Sequence, residues 1–167
     1  MKIAFTGSHG TGKTTSMFNQ AHISKIENPN LTVGVFYDNA SLAPNGLFNK
    51  KSTNESQLWI FTNQMRNEIE LSYIYDIIIC DRTILDSVAY TGYMGYQRLY
   101  DKMFNLAIEH LSSYDMIYFK QIKHNEYWTK CKYRDIHDAE YRQRVEDILL
   151  NLYERAKIST LDKFKLI

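Results

Sequence analysis

The run GSHGTGKTT, residues 7–15, constrains this chain more than any other feature. It fills the pattern G-x-x-x-x-G-K-[ST], with Gly7, Gly12, Lys13 and Thr14 in the fixed places. Glycines let backbone N–H groups turn inward around a phosphate, and a following helix points its positive end at the same anion. Such a loop needs a strand before it and a helix after it. Both are readable: KIAFT (Lys2–Thr6) suits a short strand, and a helix is expected from Lys13 to about Ile26, broken by NPN at 28–30. A chance match would not carry this context on both sides. Gly7, Gly10, Thr11, Gly12, Lys13, Thr14 and Thr15 are the expected phosphate contacts. Lys13 can reach the β- and γ-phosphates, and the Thr14 hydroxyl is a candidate Mg²⁺ ligand.

The rest of the chain alternates strand and helix. LTVGVFYD (31–38) is β-rich, and Pro44 with Asn45-Gly46 marks a loop after it. Ser52 and Glu55 read as a capping box opening a helix to about Ser72, with Leu58, Phe61, Met65 and Ile69 as its apolar face. YDIIIC (75–80) is apolar on both pleat faces, as a central parallel strand should be. Residues 83–110 suit two helices with a break near 92–95, and YDMIYF (114–119) is another strand. A helix from Ala139 carries Tyr141, Val145, Ile148, Leu149 and Leu152 on one face, and KFKLI (163–167) closes as a last strand. This alternation predicts an α/β fold, a parallel sheet with helices on both faces. The 167 residues suit one domain.

Composition excludes several classes. A net charge of +1 gives no global field for nucleic acid or an anionic membrane. The strongly apolar run 77–80 is too short to cross a bilayer, and no leader pattern follows Met1. Two cysteines, Cys80 and Cys131, are too few for a disulfide framework and suit a reducing compartment, so a cytoplasmic protein is expected. The 13 tyrosines read as half-buried packing.

Asp81 ends the buried strand and stands where an acid orients Mg²⁺ or its waters beside a phosphate loop. Arg82 follows, able to fork onto phosphate oxygens or an acceptor, or to close a strand-end salt bridge. Asp38 ends the second strand, where it could take a proton from an acceptor hydroxyl or simply form a turn before Asn39. Asp86 and Tyr90 share a helix face, and Asp86 is read first as favouring a positive helix start. His9 is expected to face solvent or acceptor. Arg66 and Glu68 suit a solvated helix surface, and Trp59 is as much a core aromatic as a base cover. Residues 120–134 hold Lys120, Lys123, Lys130, Lys132 and Arg134 against one acid, Glu126. A solvated basic loop explains this. So does a contact to a single-stranded nucleic-acid end, with Tyr127, Trp128 and Tyr133 between the charges.

DRTILDSVAY (81–90) resembles the DR…S…AY stretch of thymidylate kinases. It is closer still to the DR…D…AY stretch of small P-loop kinase-like ATPases of the AAA type, which include the nicotinamide riboside kinase domain. DNAS (38–41) resembles that family's acid-x-Ala-Arg element, and Thr53 with Gln57 its Thr-x-x-x-Gln helix start. The likeness runs from Lys2 to about Leu152. It implies a P-loop kinase three-layer sandwich with a five-stranded parallel sheet of order 2-3-1-4-5, and a lid over about 120–138. YRDIHDAEYR (133–142) resembles the lid arginine segment, making Arg134 the first choice to stabilise a transferring phosphoryl and Arg142 the second. Ser41 stands where the family has arginine. The family also places an adenine-contacting loop after the last strand, where this sequence stops.

The expectation is a Mg²⁺-dependent kinase moving the γ-phosphoryl of ATP to a nucleoside, nucleoside monophosphate or nucleoside-like metabolite. Lys13 holds the donor, Thr14 and Asp81 position the metal, Asp38 and Arg82 face the acceptor, and Arg134 closes from the lid. The rivals are a 5′-hydroxyl kinase on nucleic-acid ends and a regulatory ATPase with a protein partner.

Overall fold

The structure, a computed structural model, describes residues 1–37, 40–44, 47, 49–123, 138–158 and 161–167. Its centre is a five-stranded, all-parallel sheet: β1 (Lys2–Thr6), β2 (Val33–Phe36), β3 (Ile77–Asp81), β4 (Met116–Phe119) and β5 (Phe164–Leu166). The strand order is β2-β3-β1-β4-β5, as expected. Among the described residues five α-helices cover it: α1 (Lys13–Glu27), α2 (Asn54–Ser72), α3 (Ile84–Tyr93), α4 (Gln97–Leu111) and α5 (Ala139–Arg155). Strands 2 to 5 are shorter than the sequence suggested, and β3 runs one residue further, to Asp81. β2 begins at Val33 because Thr32 is held by the Asp76 carboxylate through both its backbone N–H and its hydroxyl.

Strand alternation sorts the core into two layers. Ile3, Phe5, Ile77 and Ile79 point to one face and pack on Met17 and Ala21 of α1, with Met116 and Tyr118 beside them. Ala4, Ile78, Cys80, Ile117 and Phe119 point the other way, into a larger core built with α2, α3, α4 and α5. The register Phe5↔Asp81 and Phe5↔Tyr118 brings the C-terminal ends of the three central strands level. Both the glycine loop and Asp81 leave the sheet at that edge, which is where open α/β sheets place ligands.

Three readings of α2 need correction. Its capping box is formed by Thr53 and Ser56, one residue beyond the expected Ser52–Glu55 pair. Ser52 is buried instead, and its carbonyl accepts from the Tyr96 hydroxyl at 2.9 Å. The expected apolar face holds only in part: Phe61 is buried, but Leu58 and Ile69 are exposed at 44% and 45%. The buried side carries Gln57, Ile60, Phe61, Gln64 and Glu68. Glu68, expected in solvent, is wholly buried. It accepts from Lys2 Nζ (3.2 Å), Gln64 Nε2 (2.9 Å) and the Tyr114 hydroxyl (2.9 Å), and pairs with His110 Nε2 (2.9 Å). Arg66 is exposed and pairs with Glu70, as a solvated surface predicts. Trp59 is half-buried.

Candidate active site

The phosphate loop is shaped by its glycines. Gly7 has φ 130°, and a Cβ there would lie 2.3 Å from the Lys120 carbonyl oxygen, so no other residue fits without moving the chain after β4. Gly12 caps α1 at φ 78°, and no acid occupies the helix's first turn. The positive end of α1 thus meets the loop with no carboxylate from the helix's own first turn. Lys13 is buried, with Nζ held by the Ser8 carbonyl at 2.7 Å and near Thr11 Oγ1 at 3.5 Å. Thr11 Oγ1 also donates to Ser8 O. From the far side, Lys120 Nζ reaches Ser16 Oγ at 2.9 Å and ties the end of β4 to α1.

Thr14 and Asp81 meet as the sequence placed them. Thr14 Oγ1 donates to Asp81 Oδ2 at 2.5 Å. Two hard oxygens at the phosphate loop are the donor set that Mg²⁺ accepts alongside substrate phosphates, so these residues fit the ion. Among the described residues no cluster of three His, Cys, Asp or Glu side chains offers an all-protein cage.

Arg82 has φ 89°, a left-handed conformation that costs a non-glycine residue energy and concentrates at functional sites. The buried guanidinium is oriented by α3: Nη1 bonds Asp86 Oδ1 at 2.8 Å, and Nη2 approaches the Tyr90 hydroxyl at 3.4 Å. Asp86 also caps α3, accepting the Thr83 N–H at 2.9 Å, as expected of an acid at a helix start. Its Oδ2 further accepts from Thr6 Oγ1 at 2.7 Å, locking the end of β1 to the same carboxylate. The strand-end salt bridge weighed for Arg82 therefore exists, with Asp86 as partner.

His9 contradicts its expectation. It is buried, at 1% exposure, with Nδ1 3.3 Å from the Tyr90 hydroxyl and its ring 4.8 Å from that of Tyr141. Arg142 is buried too. Its Nε donates to the His9 carbonyl at 3.0 Å, while its own carbonyl accepts from Ser8 Oγ at 2.8 Å. α5 therefore packs directly on the phosphate loop. Glu146, one turn further on, was missed by the sequence reading although it stands four residues from Arg142 on a helix. Burial pushes its carboxyl up, with Asp147 adding to the rise, against the Ile122 N–H, Arg142 and Lys13. Its Oε2 accepts the Ile122 N–H at 2.8 Å and fixes the chain leaving β4. Asp38 and Arg134 lie outside the described residues, as does most of the expected lid.

The sheet order and the glycine loop at its C-terminal edge define the three-layer fold of small P-loop kinases. The chain belongs to the AAA domain family, whose model matches residues 2–163. No curated protein sequence matches it. Among solved structures it is similar to a thymidylate kinase from Ehrlichia chaffeensis, at TM-score 0.66 and 22% identity over 100% of this chain and 86% of that one. A deoxyadenosine kinase from M. mycoides is similar in two forms. With dCMP and a flexible dCDP bound it gives TM-score 0.66 at 20% identity, and with dATP bound 0.67 at 18%. Each alignment covers 100% of this chain and 90% of that one. No helix among the described residues is long and apolar enough to cross a membrane.

Proposed function

We propose that the chain is an ATP-dependent kinase that transfers the γ-phosphoryl group to a nucleoside, nucleoside monophosphate or nucleoside-like metabolite. The observation that supports this reading is that Asp81, bonded to Thr14 of the phosphate-loop helix, is followed directly by the buried Arg82 in a strained left-handed backbone conformation. A loop that only stores nucleotide needs the first. A fixed guanidinium next to it supplies charge where a second substrate's oxygen meets the γ-phosphorus.

In this reading Lys13 and the loop amides hold the β- and γ-phosphates. Thr14 and Asp81 would hold Mg²⁺, which when bound would neutralise phosphate charge. The acceptor oxygen bonds to the γ-phosphorus as the bond to the β-phosphate oxygen breaks, and ADP leaves. Arg82 steadies the oxygens around that phosphorus, and Arg134 does so from the lid, with Arg142 anchoring the base of that segment. A hydroxyl acceptor passes its proton to Asp38, and an ionised monophosphate has none to pass. Gln57 on the first turn of α2 is buried, and Ser87 Oγ on α3 is buried with no partner among the described residues. Polar groups of this kind suit the edge of a base. The similar folds include a deoxyadenosine kinase with dCMP bound as a product, which favours an acceptor of nucleoside size.

The test is transfer of label from γ-labelled ATP, screened over nucleosides, nucleoside monophosphates, nicotinamide riboside and 5′-hydroxyl oligonucleotides. The proposal expects a labelled small-molecule product. Label only on oligonucleotide, lost steeply with added salt, replaces it with the nucleic-acid-end kinase. Slow hydrolysis that no acceptor accelerates replaces it with a regulatory ATPase.

A further inference from the structure

His9 sits at a variable position of the phosphate loop, yet it is held like a core residue. Its Nδ1 lies 3.3 Å from the Tyr90 hydroxyl, and the same oxygen lies 3.4 Å from Arg82 Nη2. The Arg82 guanidinium also lies over the Tyr90 ring, 5.2 Å from its centroid. Its other arm is anchored by Asp86. The Tyr90 hydroxyl is therefore a shared contact between the phosphate loop and the arginine that follows β3. Behind His9, the Tyr141 ring stands 4.8 Å from the imidazole and 6.2 Å from the Tyr90 ring, so the three rings pack together. Arg142 pins the His9 carbonyl from the same helix.

A residue with only a packing role needs no polar partner here, and a phenylalanine would fill the space. A polar chain that starts in the phosphate loop and ends on the guanidinium has a different consequence. A shift of the loop backbone at His9 is passed to Arg82 through one hydroxyl. The two contacts are at the long end of hydrogen-bond range, and catalytic contacts of this kind tighten when substrate is in place.

We propose that His9 is a positioning residue. It acts through the Tyr90 hydroxyl to set the orientation of Arg82 according to the state of the phosphate loop. This rests on the kinase reading above. It couples donor binding to the geometry of transfer, so its loss falls on turnover and leaves donor affinity in place.

The experiment compares His9→Phe, His9→Asn, Tyr90→Phe and the double variant His9→Phe/Tyr90→Phe. Each is assayed for acceptor-dependent turnover and for thermal stabilisation by Mg-ATP. His9→Phe keeps a ring and removes Nδ1, while His9→Asn restores a polar atom near the Nδ1 position. Tyr90→Phe removes the hydroxyl alone and tests the relay even if the loop variants fold poorly. The expected result is a loss in kcat of about tenfold in His9→Phe and in Tyr90→Phe, the size of one hydrogen bond to a charged group. KM for ATP and the Mg-ATP stabilisation should stay close to wild type. The double variant should be no worse than the weaker single, since both break one chain. His9→Asn should recover most of the loss. Unchanged kcat in Tyr90→Phe, additive losses in the double variant, or His9→Asn no better than His9→Phe each overturns the proposal. Absence of acceptor-dependent transfer in the wild type fails the kinase reading itself, and this inference with it.

Discussion

Glu68→Gln should cost stability and spare the site. The Glu68 carboxylate is fully buried and accepts or shares four hydrogen bonds, from Lys2, Gln64, His110 and Tyr114. Removing one partner of a buried ion pair typically costs about 3–5 kcal/mol, because the other charge is left without compensation. The lower end applies, since Lys2 Nζ keeps Ser113 Oγ at 3.0 Å and the Tyr114 ring at 5.1 Å. A loss of about 3 kcal/mol is a large part of a stability of roughly 5–15 kcal/mol. It corresponds to a melting point lower by about 6–12 °C for a chain of this size. The assay is urea unfolding, read as a lower midpoint at unchanged slope. Adding Lys2→Met should return part of the loss, because no buried ammonium then lacks its carboxylate. Burial alone would raise the Glu68 carboxyl, but the His110 bond, the charges of Lys2 and His110 and the Gln64 bond outweigh it and hold the group below its usual value. The sign follows: this contribution is complete above the ordinary carboxyl range and is lost as pH falls through the lower folded value. Glu68→Gln should therefore flatten the acid limb of the stability curve. A loss under about 1 kcal/mol, or additive losses in Lys2→Met/Glu68→Gln, would refute the reasoning.

Lys13→Ala should abolish most of the thermal stabilisation by Mg-ATP and leave the fold intact; equal stabilisation in both proteins removes Lys13 from the donor site. Gly7→Ala should fail at the level of folding, since its Cβ would meet the Lys120 carbonyl oxygen at 2.3 Å from a backbone at φ 130°. Gly95→Ala, at φ 76° with nothing near its Cβ, should cost only about 1 kcal/mol in a melting experiment. Asp38→Asn should reduce turnover on a nucleoside by ~10²–10⁴-fold with Mg-ATP binding kept, as expected for loss of a general base. Turnover within a few-fold of wild type would point to a monophosphate, whose oxygen is already ionised.

What could be read from the sequence and what could not divide along the range of the forces involved. The phosphate loop is local: a glycine's positive φ, a helix start and a lysine stand within nine residues, so GSHGTGKTT carries its own geometry. Asp81 was legible because an apolar strand long enough to be central must end in a loop at the same edge. His9 and Glu68 were not, since each owes its burial to partners far along the chain. His9 meets a tyrosine 81 residues away, and Glu68 a lysine 66 residues away. Hydropathy gave α2 an apolar face through Leu58 and Ile69, yet both are exposed and polar Gln64 and Glu68 are inside. The signal lay in β1. Alternation along that strand puts Lys2 on the same face as Ala4 and Thr6, toward α2–α5, while Ile3 and Phe5 face α1. A lysine turned inward needs a carboxylate. On α2, the acid standing four residues beyond Gln64 and seven beyond Phe61 shares their face. The apparent misfit of a charge in each of two elements is thus a single constraint, and it fixes how α2 docks against the start of the sheet.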